Sequence, residues 1–354
     1  MQNSMAELLS NRRVIVCLGP GGVGKTTCSA AIAYAEAATG KKVCVVTIDP
    51  ARRLASALGL SQLGNDASLV TKVGSGELYA TMLDAHATFD DMVRRYGKSQ
   101  EQIEQILANK LYQNLTTSLS GTQEFMAMER LFELYEDARF DVIVVDTPPS
   151  VSALDFLDAP KRLSSFLDNR IFKLLIKPPP AYLRPLSLAT RTLLKTISKV
   201  VGAEVVEDAV RFFEVFSGIE DGFKERADSV ERVLSSPETA LVLISSPSQG
   251  AILELDQLAQ RLKKSKREFH ALIVNRVTPD FAGPLELQNG AKNLVADNWV
   301  YLARKRASDL KVGSELKELL GDAKTLFVDE IAGEISDLAG VEAIAKDISL
   351  GEVG

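Results

Sequence analysis

The stretch VIVCLGPGGVGKTTCSAA, residues 14–31, decides how this chain folds. An apolar run of β-branched residues stops at a glycine cluster, and a lysine, two threonines and a run of small residues follow. Gly19, Gly24, Lys25 and Thr26 satisfy G-x-x-x-x-G-K-[ST], the pattern of a phosphate-binding loop between a strand and a helix. Glycines at this spacing let successive backbone N–H groups of Gly21, Gly22, Val23 and Gly24 converge on one anion, because no side chain stands in the way. The start of the helix adds its partial positive charge. Lys25 is placed to reach the β- and γ-phosphates, Thr26 to hold Mg²⁺ through its hydroxyl, and Thr27 to extend the helix-start cradle.

Working outward, the sequence alternates apolar runs with helical patterns. The strand RVIVCL (13–18) precedes a helix over about 25–38, and Gly40 stops that helix before VCVVTI (43–48). Residues 83–138 read mainly as helices and lead into FDVIVVDTPPS (140–150). Further apolar strands follow at ALVLISSP (240–247), ALIVNRVTP (271–279) and TLFVDE (325–330), with helices over about 249–264 and 338–347. Continuous apolar strands alternating with helices imply an α/β fold with a doubly wound, mostly parallel sheet. The expected organisation is a P-loop ATPase domain over 1–160 and 236–354, with a helical insertion over 161–235 and the helical segment 83–138 kept inside the ATPase domain.

In the insertion, Val206, Val210, Phe213, Ile219 and Phe223 recur at helix-face spacing, and Phe212, Val215 and Phe216 widen the stripe. Two readings stay open for it: a helical unit packed on itself, or an apolar docking groove for a hydrophobic client.

Composition narrows the function classes. The 354-residue chain is 46% hydrophobic and 25% charged with a net charge of −6, so no overall basic footprint for nucleic acid is present. No apolar run reaches the roughly 20 residues of a membrane span, and no signal peptide is read, so the expected location is cytoplasmic. Cys17, Cys28 and Cys44 form no CxxC pair and read as small buried hydrophobes. Two histidines, His86 and His270, give little basis for a histidine metal site or a Ser-His-Asp triad.

Two acids end apolar strands. Asp146 closes VIVVD, where a carboxylate either forms a turn or supports Mg²⁺ directly or through water, and Asp49 closes VCVVTI, where it either opens an Asp-Pro turn or positions the attacking water. With the loop, these segments resemble the ArsA-type ATPases, the family of the arsenite-pump ATPase and the ATPase that targets tail-anchored membrane proteins. That family belongs with MinD, ParA and the nitrogenase iron protein in the deviant-Walker group. GPGGVGKTT is similar to the family's GKGGVGKTT, and TIDPARRLASALG to its switch I. DTPPSVSALDFLDAP resembles its switch II, and GTQEFMAMERLFEL (121–134) its acidic helix segment.

The resemblance implies ATP and Mg²⁺ as cofactors. It makes Asp49 and Lys25 the catalytic pair, Pro149 and Ser150 the γ-phosphate-sensing switch II, and Thr26 with Asp146 the Mg²⁺ side. It also makes Asn275, with Arg276 beside it, the adenine-reading position; no guanine motif follows. The segment from Phe327 to Asp329 falls where the family covers the adenine. Three departures stand out: Pro20 replaces the lysine that acts across the family's dimer, Arg52 replaces a switch I histidine, and Val151-Ser152 replaces a switch II glycine-histidine.

The expected function is a dimeric, Mg²⁺-dependent ATPase switch that couples hydrolysis to a client or partner, either as a homodimer or as a heterodimer with a related ATPase. The alternative is a weakly hydrolysing, nucleotide-stabilised scaffold or regulatory subunit. A positioning ATPase is disfavoured because the tail VEAIAKDISLGEVG is not basic. A multi-thiolate arsenite site is disfavoured because no cysteine follows Cys44.

Overall fold

The computed structural model describes residues 5–48, 53–110, 112–113, 122–148, 150–169, 173, 211–265, 267–281, 292–321, 323–333 and 335–351. Two compact units result, the first from Met1–Leu83, Leu134–Leu154 and Ser235–Gly354, the second from Asp84–Glu133 and Asp155–Leu234. The segment 83–138, expected within the ATPase domain, therefore contributes residues 84–133 to the second unit. The stretch 155–160, also expected in the ATPase domain, goes the same way.

The first unit is built on eight strands: β1 (Val14–Leu18), β2 (Lys42–Thr47), β3 (Ser68–Val73), β4 (Gly76–Met82), β5 (Val142–Asp146), β6 (Thr239–Ser245), β7 (Ala271–Val277) and β8 (Lys324–Asp329). They lie in the order β3-β4-β2-β5-β1-β6-β7-β8. All neighbours are parallel except β3 on β4. Every residue of β1, β5 and β6 is buried, as expected for central strands covered on both faces. Helix α1 (Met5–Leu9) and helix α2 (Lys25–Ala38) follow the same logic of close cover. Ala30, Ala31, Ala33 and Ala37 of α2 are fully buried, and these small side chains let the helix lie close on the sheet. A short helix, α3 (Arg53–Ala57), packs beside α2.

Two elements of this unit were not expected from the sequence. The β3–β4 hairpin turns at Gly74, and its outer strand SLVTKV is half exposed, so it lacks the continuous apolar signature of the central strands. A 29-residue helix over Lys292–Leu320 precedes β8; its described residues up to Ser308 are exposed or half-buried, leaving no apolar stripe to read. The closing helix, Leu338–Leu350, packs on α2 and carries an Asp337 carboxylate that accepts the Gly340 N–H at 3.0 Å.

The second unit contains α4 (Ala85–Tyr96), α5 (Gln100–Leu107), most of α6 (Thr122–Glu136), the later part of α7 (Ser150–Leu167), and α8 (Glu220–Leu234). Asp84 and Ser99 cap α4 and α5 by accepting backbone N–H groups. Its interior is aromatic: Phe89 meets Tyr112 at 5.1 Å and Phe223 at 5.6 Å, while Phe216 meets Phe223 at 5.4 Å and Phe212 at 5.2 Å. Phe212, Phe216, Ile219 and Phe223 of the apolar stripe are thus committed to this core, whereas Val206 and Val210 lie outside the described residues.

A buried ion pair locks the same unit. Arg226 Nε donates to both Glu129 oxygens at 2.7 and 2.8 Å, and its guanidinium lies 4.1 Å over the Phe132 ring. Burial pushes the Glu129 carboxyl up, and the Arg226 hydrogen bond and charge work against that. Replacing Arg226 by alanine leaves the buried Glu129 carboxylate with only the more exposed Arg95, 3.6 Å away, so Arg226→Ala is expected to cost about 3 kcal/mol of stability in urea unfolding. In the first unit, burial pushes His270 below its usual range, and its Nδ1 accepts the Leu241 N–H at 3.2 Å. A depressed histidine keeps its full contribution at neutral pH and loses it as pH falls below about 6.5, where the unfolded chain binds the proton first. The melting temperature should therefore fall between pH 7 and 5, and more shallowly in His270→Gln.

Candidate nucleotide-binding site

The phosphate loop leaves β1 at Leu18 and enters α2 at Lys25, as its sequence implies. Gly19 runs at φ 153°, and a Cβ there would stand 2.0 Å from the Ile244 carbonyl oxygen of β6, so the loop leaves the sheet through a gap only glycine fits. Gly24 caps α2 at φ 88° in the left-handed region, and no side chain caps the helix. Where α4, α5 and the closing helix are capped by Asp84, Ser99 and Asp337, the start of α2 has no side-chain cap, and its first-turn amides are suited to an anion.

Lys25 is buried despite its charge. Its Nζ donates to the Gly19 carbonyl at 3.0 Å and the Pro20 carbonyl at 3.2 Å. Pro20 thus keeps its carbonyl in the loop's own hydrogen bonding, although its nitrogen carries no proton to offer.

Behind the loop lies a polar layer at the ends of β1, β2 and β5. Cys17, Asp146 and Thr47 pair side by side across the three strands. Asp146 is fully buried: Thr47 Oγ1 donates to one of its oxygens at 3.0 Å, and Ser29 Oγ lies 3.5 Å from the other. Thr147 Oγ1 donates to the Cys17 carbonyl at 2.7 Å. All three cysteines are buried and outside any disulfide, and burial raises the thiols of Cys17 and Cys28, the latter to about 12, which disfavours their thiolates. No group of three or more His, Cys, Asp or Glu side chains suited to a metal ion occurs among the described residues.

A cleft of about 630 Å³ opens over the loop. Gly21, Gly22, Gly24, Lys25, Thr26, Thr27 and Thr147 line one end, with Arg53, Ser56 and Ala57 of α3 beside them. Asn275 and Arg276 from β7, Asp329 at the end of β8, and Glu330, Ile331 and Ile335 beyond it also line the cleft. Asn275 is only 5% exposed, and its Nδ2 donates to the Val23 carbonyl at 2.8 Å. Arg276 Nη1 donates to the adjoining Gly22 carbonyl at 2.9 Å. Two residues some 250 positions downstream thereby hold successive carbonyls of the phosphate loop.

The structure therefore brings Gly21, Gly22, Gly24, Lys25, Thr26, Thr27, Asn275 and Arg276 to one cleft, with Val23 buried beneath it. Asp146 stands behind the cleft rather than on its wall. Phe327 is not on its wall, its ring packing at Gly313, so Asp329 at the end of β8 and Glu330 and Ile331 just after it line this side. Asp49, Arg52 and Pro149 lie outside the described residues; Ser150 begins α7. Arg53, Thr147 and Glu330 were not singled out by the sequence, because nothing local marks an arginine after a short loop or a threonine after a strand as cleft-facing.

The sequence profile of the anion-transporting ATPase family matches residues 12–349, nearly the whole chain. The chain belongs to that family. Over 331 residues it is 24% identical to "ATPase get3" of Schizosaccharomyces japonicus, a match covering 93% of this chain and 89% of that protein. It is 27% identical over 267 residues to "ATPase GET3A" of Arabidopsis thaliana, covering 74% and 66% of the two chains. It is 26% identical over 280 residues to "Putative arsenical pump-driving ATPase 1" of Aquifex aeolicus, covering 76% and 64%. The α/β fold with its mostly parallel sheet and the ATPase assignment of the family agree with the loop and cleft. No helix among the described residues is long and apolar enough to cross a membrane.

A methyl group at position 24 would meet the Asn275 Nδ2 at 2.3 Å and sit on a left-handed backbone. Gly24→Ala is therefore expected to cost about 1–2 kcal/mol in chemical unfolding from the backbone alone and to weaken nucleotide binding by at least tenfold in calorimetric titration.

Proposed function

We propose that this ATPase is a Mg²⁺-dependent, dimeric nucleotide switch whose cycle of ATP binding and hydrolysis controls a partner or client held by its helical unit. The observation that carries the reading is the cleft itself: a phosphate loop with a buried lysine at one end and an asparagine-bearing strand end at the other. Family membership and relatives named as get3 and arsenical pump-driving ATPases support it.

In this reading ATP lies along the cleft, its phosphates on the amides of Gly21–Thr27 and its base toward Asn275. Lys25 exchanges its loop carbonyls for phosphate oxygens, so its charge is already in place before the nucleotide arrives. Mg²⁺ fits the residues present: Thr26 offers a hard oxygen donor on the cleft wall, and Asp146 behind it would support the ion directly or through water. When bound, the ion neutralises phosphate charge. Asp49 orients the attacking water, and Pro149 and Ser150 report the γ-phosphate to α7. Hydrophobic or membrane-protein clients are the partner class that the resemblance to the tail-anchored-protein-targeting ATPases implies.

Pro20 favours a second reading for turnover. Where the resemblance places a cross-dimer lysine, this chain offers no cation, so the transition state has one positive charge fewer unless a second, related ATPase supplies it. The chain would then act as the slow or regulatory member of a heterodimer.

Three measurements separate these readings. The purified chain alone is expected to hydrolyse ATP slowly, well below 1 s⁻¹; rapid turnover would overturn the missing-lysine argument. Asp49→Asn is expected to bind ATP as wild type does while releasing at least a hundredfold less ADP; equal release favours a scaffold. Affinity capture of Asp49→Asn held with ATP in cells should recover hydrophobic clients for the switch, or only a second ATPase for the heterodimer.

A further inference from the structure

Thr278 directly follows β7, and every polar group it carries is held by one helix, that over Lys292–Leu320. Its backbone N–H and its Oγ1 both donate to Asp309 Oδ2, at 3.0 and 2.6 Å. Lys305 Nζ donates to the same hydroxyl at 2.6 Å, and Arg306 Nη1 donates to the Thr278 carbonyl. Further along the same segment, the Phe281 carbonyl accepts the Trp299 indole N–H at 3.0 Å. Residues 278–281 are thus fastened along about three turns of a single helix. Thr278 and Asp309 are buried, whereas Trp299 is 38% exposed.

On its other side the same strand end holds the phosphate loop, through Asn275 on Val23 and Arg276 on Gly22. Between the two fastenings Arg276 runs at φ 63°, the one non-glycine residue at positive φ among the described residues. The β7–β8 register slips at the same place, between Val274 and Val277. A left-handed backbone is unfavourable for a residue with a Cβ and persists only where its surroundings impose it. Here the loop imposes it from one side and the long helix from the other. Arg306 adds a second route, because its Nη1 also donates at 2.7 Å to Asp329, which lines the cleft.

We propose that Asp309 and Arg306 are positioning residues that couple the phosphate loop to the helix over Lys292–Leu320, so that a ligand in the cleft and the exposed part of that helix sense one another through Thr278. The proposal rests on the cleft being the nucleotide site. Hydrogen bonds to a carboxylate or from a guanidinium are stronger than those between neutral groups, so Thr278 and the helix move together. Phosphates arriving on the loop amides load the peptide groups whose carbonyls Asn275 and Arg276 hold. Only Val277 separates that strained pair from Thr278, which leaves little slack to absorb the change. Coupling of this kind is reciprocal: whatever the ligand does to the helix, freeing the helix does to ligand affinity by the same factor. Trp299 is the only tryptophan of the chain, so its emission reads this helix alone.

Tryptophan emission and calorimetric titration of the full chain, with Mg²⁺ present, test this with ATP and inorganic tripolyphosphate. In wild type both ligands are expected to change the emission, with the midpoint that calorimetry gives; binding without an emission change would overturn the proposal. Asp309→Ala removes the acceptor of both Thr278 donors. It should abolish the emission change and weaken ATP and tripolyphosphate alike by about tenfold. Asp309→Asn keeps an oxygen acceptor and should recover most of both. An Asp309→Ala protein that melts earlier yet keeps wild-type affinity and emission response would make the bond merely structural and overturn the proposal. Should that variant fail to fold, Arg306→Met carries the test, since it cuts the bonds to Thr278 and Asp329 and leaves Asp309 in place. It should weaken ATP severalfold and at least halve the emission change, and wild-type values for both would overturn the coupling. If the folded wild type bound neither ligand, the nucleotide-site reading itself would fail, a result distinct from any difference among the variants.

Discussion

The hydrogen bond from the Asn275 amide to the Val23 carbonyl joins two parts of the sequence that share nothing locally. A phosphate loop is a run of flexible glycines, and on its own it has no reason to hold its amides in one concavity. Fastening its outward carbonyls to the end of β7 supplies that reason, and Arg276 repeats the arrangement one carbonyl earlier. The parallel order β1-β6-β7 is what brings the two segments within reach. Small residues obey the same constraint: glycine at 24 leaves room for the Asn275 amide, and glycine at 19 leaves room for the β6 backbone.

Charge is handled by burial with partners rather than by exposure. Lys25 rests on loop carbonyls, and Asp146 rests beside the hydroxyls of Thr47 and Ser29. A buried ion costs free energy unless such donors or acceptors surround it. In exchange, the charges are already oriented where phosphate and metal chemistry would need them, and little rearrangement is required when a ligand arrives. The second unit uses the same device for a different end: Glu129 and Arg226 hold helices together inside an aromatic core.

Much of the sheet was legible in the sequence because central parallel strands are buried on both faces and so read as unbroken apolar runs. VIVCL, VCVVT, VIVVD and the ALIV start of β7 all show it. The β3–β4 hairpin was not, because its outer strand SLVTKV alternates half-exposed positions at a sheet edge. The helix over Lys292–Leu320 was not, because its residues 297–308 are exposed or half-buried and form no buried face to imprint a period. Within the site, Lys25, Thr26 and Asn275 announced themselves by motif or by position at a strand end. The burial of Asp146 behind the cleft, and the turning of Phe327 toward Gly313, depend on neighbours from other elements and left no local mark.

By itself, then, the sequence determined an α/β nucleotide-loop protein of the ATPase kind, since glycine spacing, a lysine and apolar strands are local consequences of backbone sterics and burial. It also determined that position 20 of the loop is a proline with no N–H of its own, because that is a matter of residue identity. Only the tertiary structure decided how the cleft is closed. The left-handed turn at Arg276, the two tethers onto Gly22 and Val23, and the grouping of residues 84–133 with 155–234 arise from contacts between segments tens to hundreds of residues apart. Such contacts are set by strand order and packing, which no short window of sequence contains.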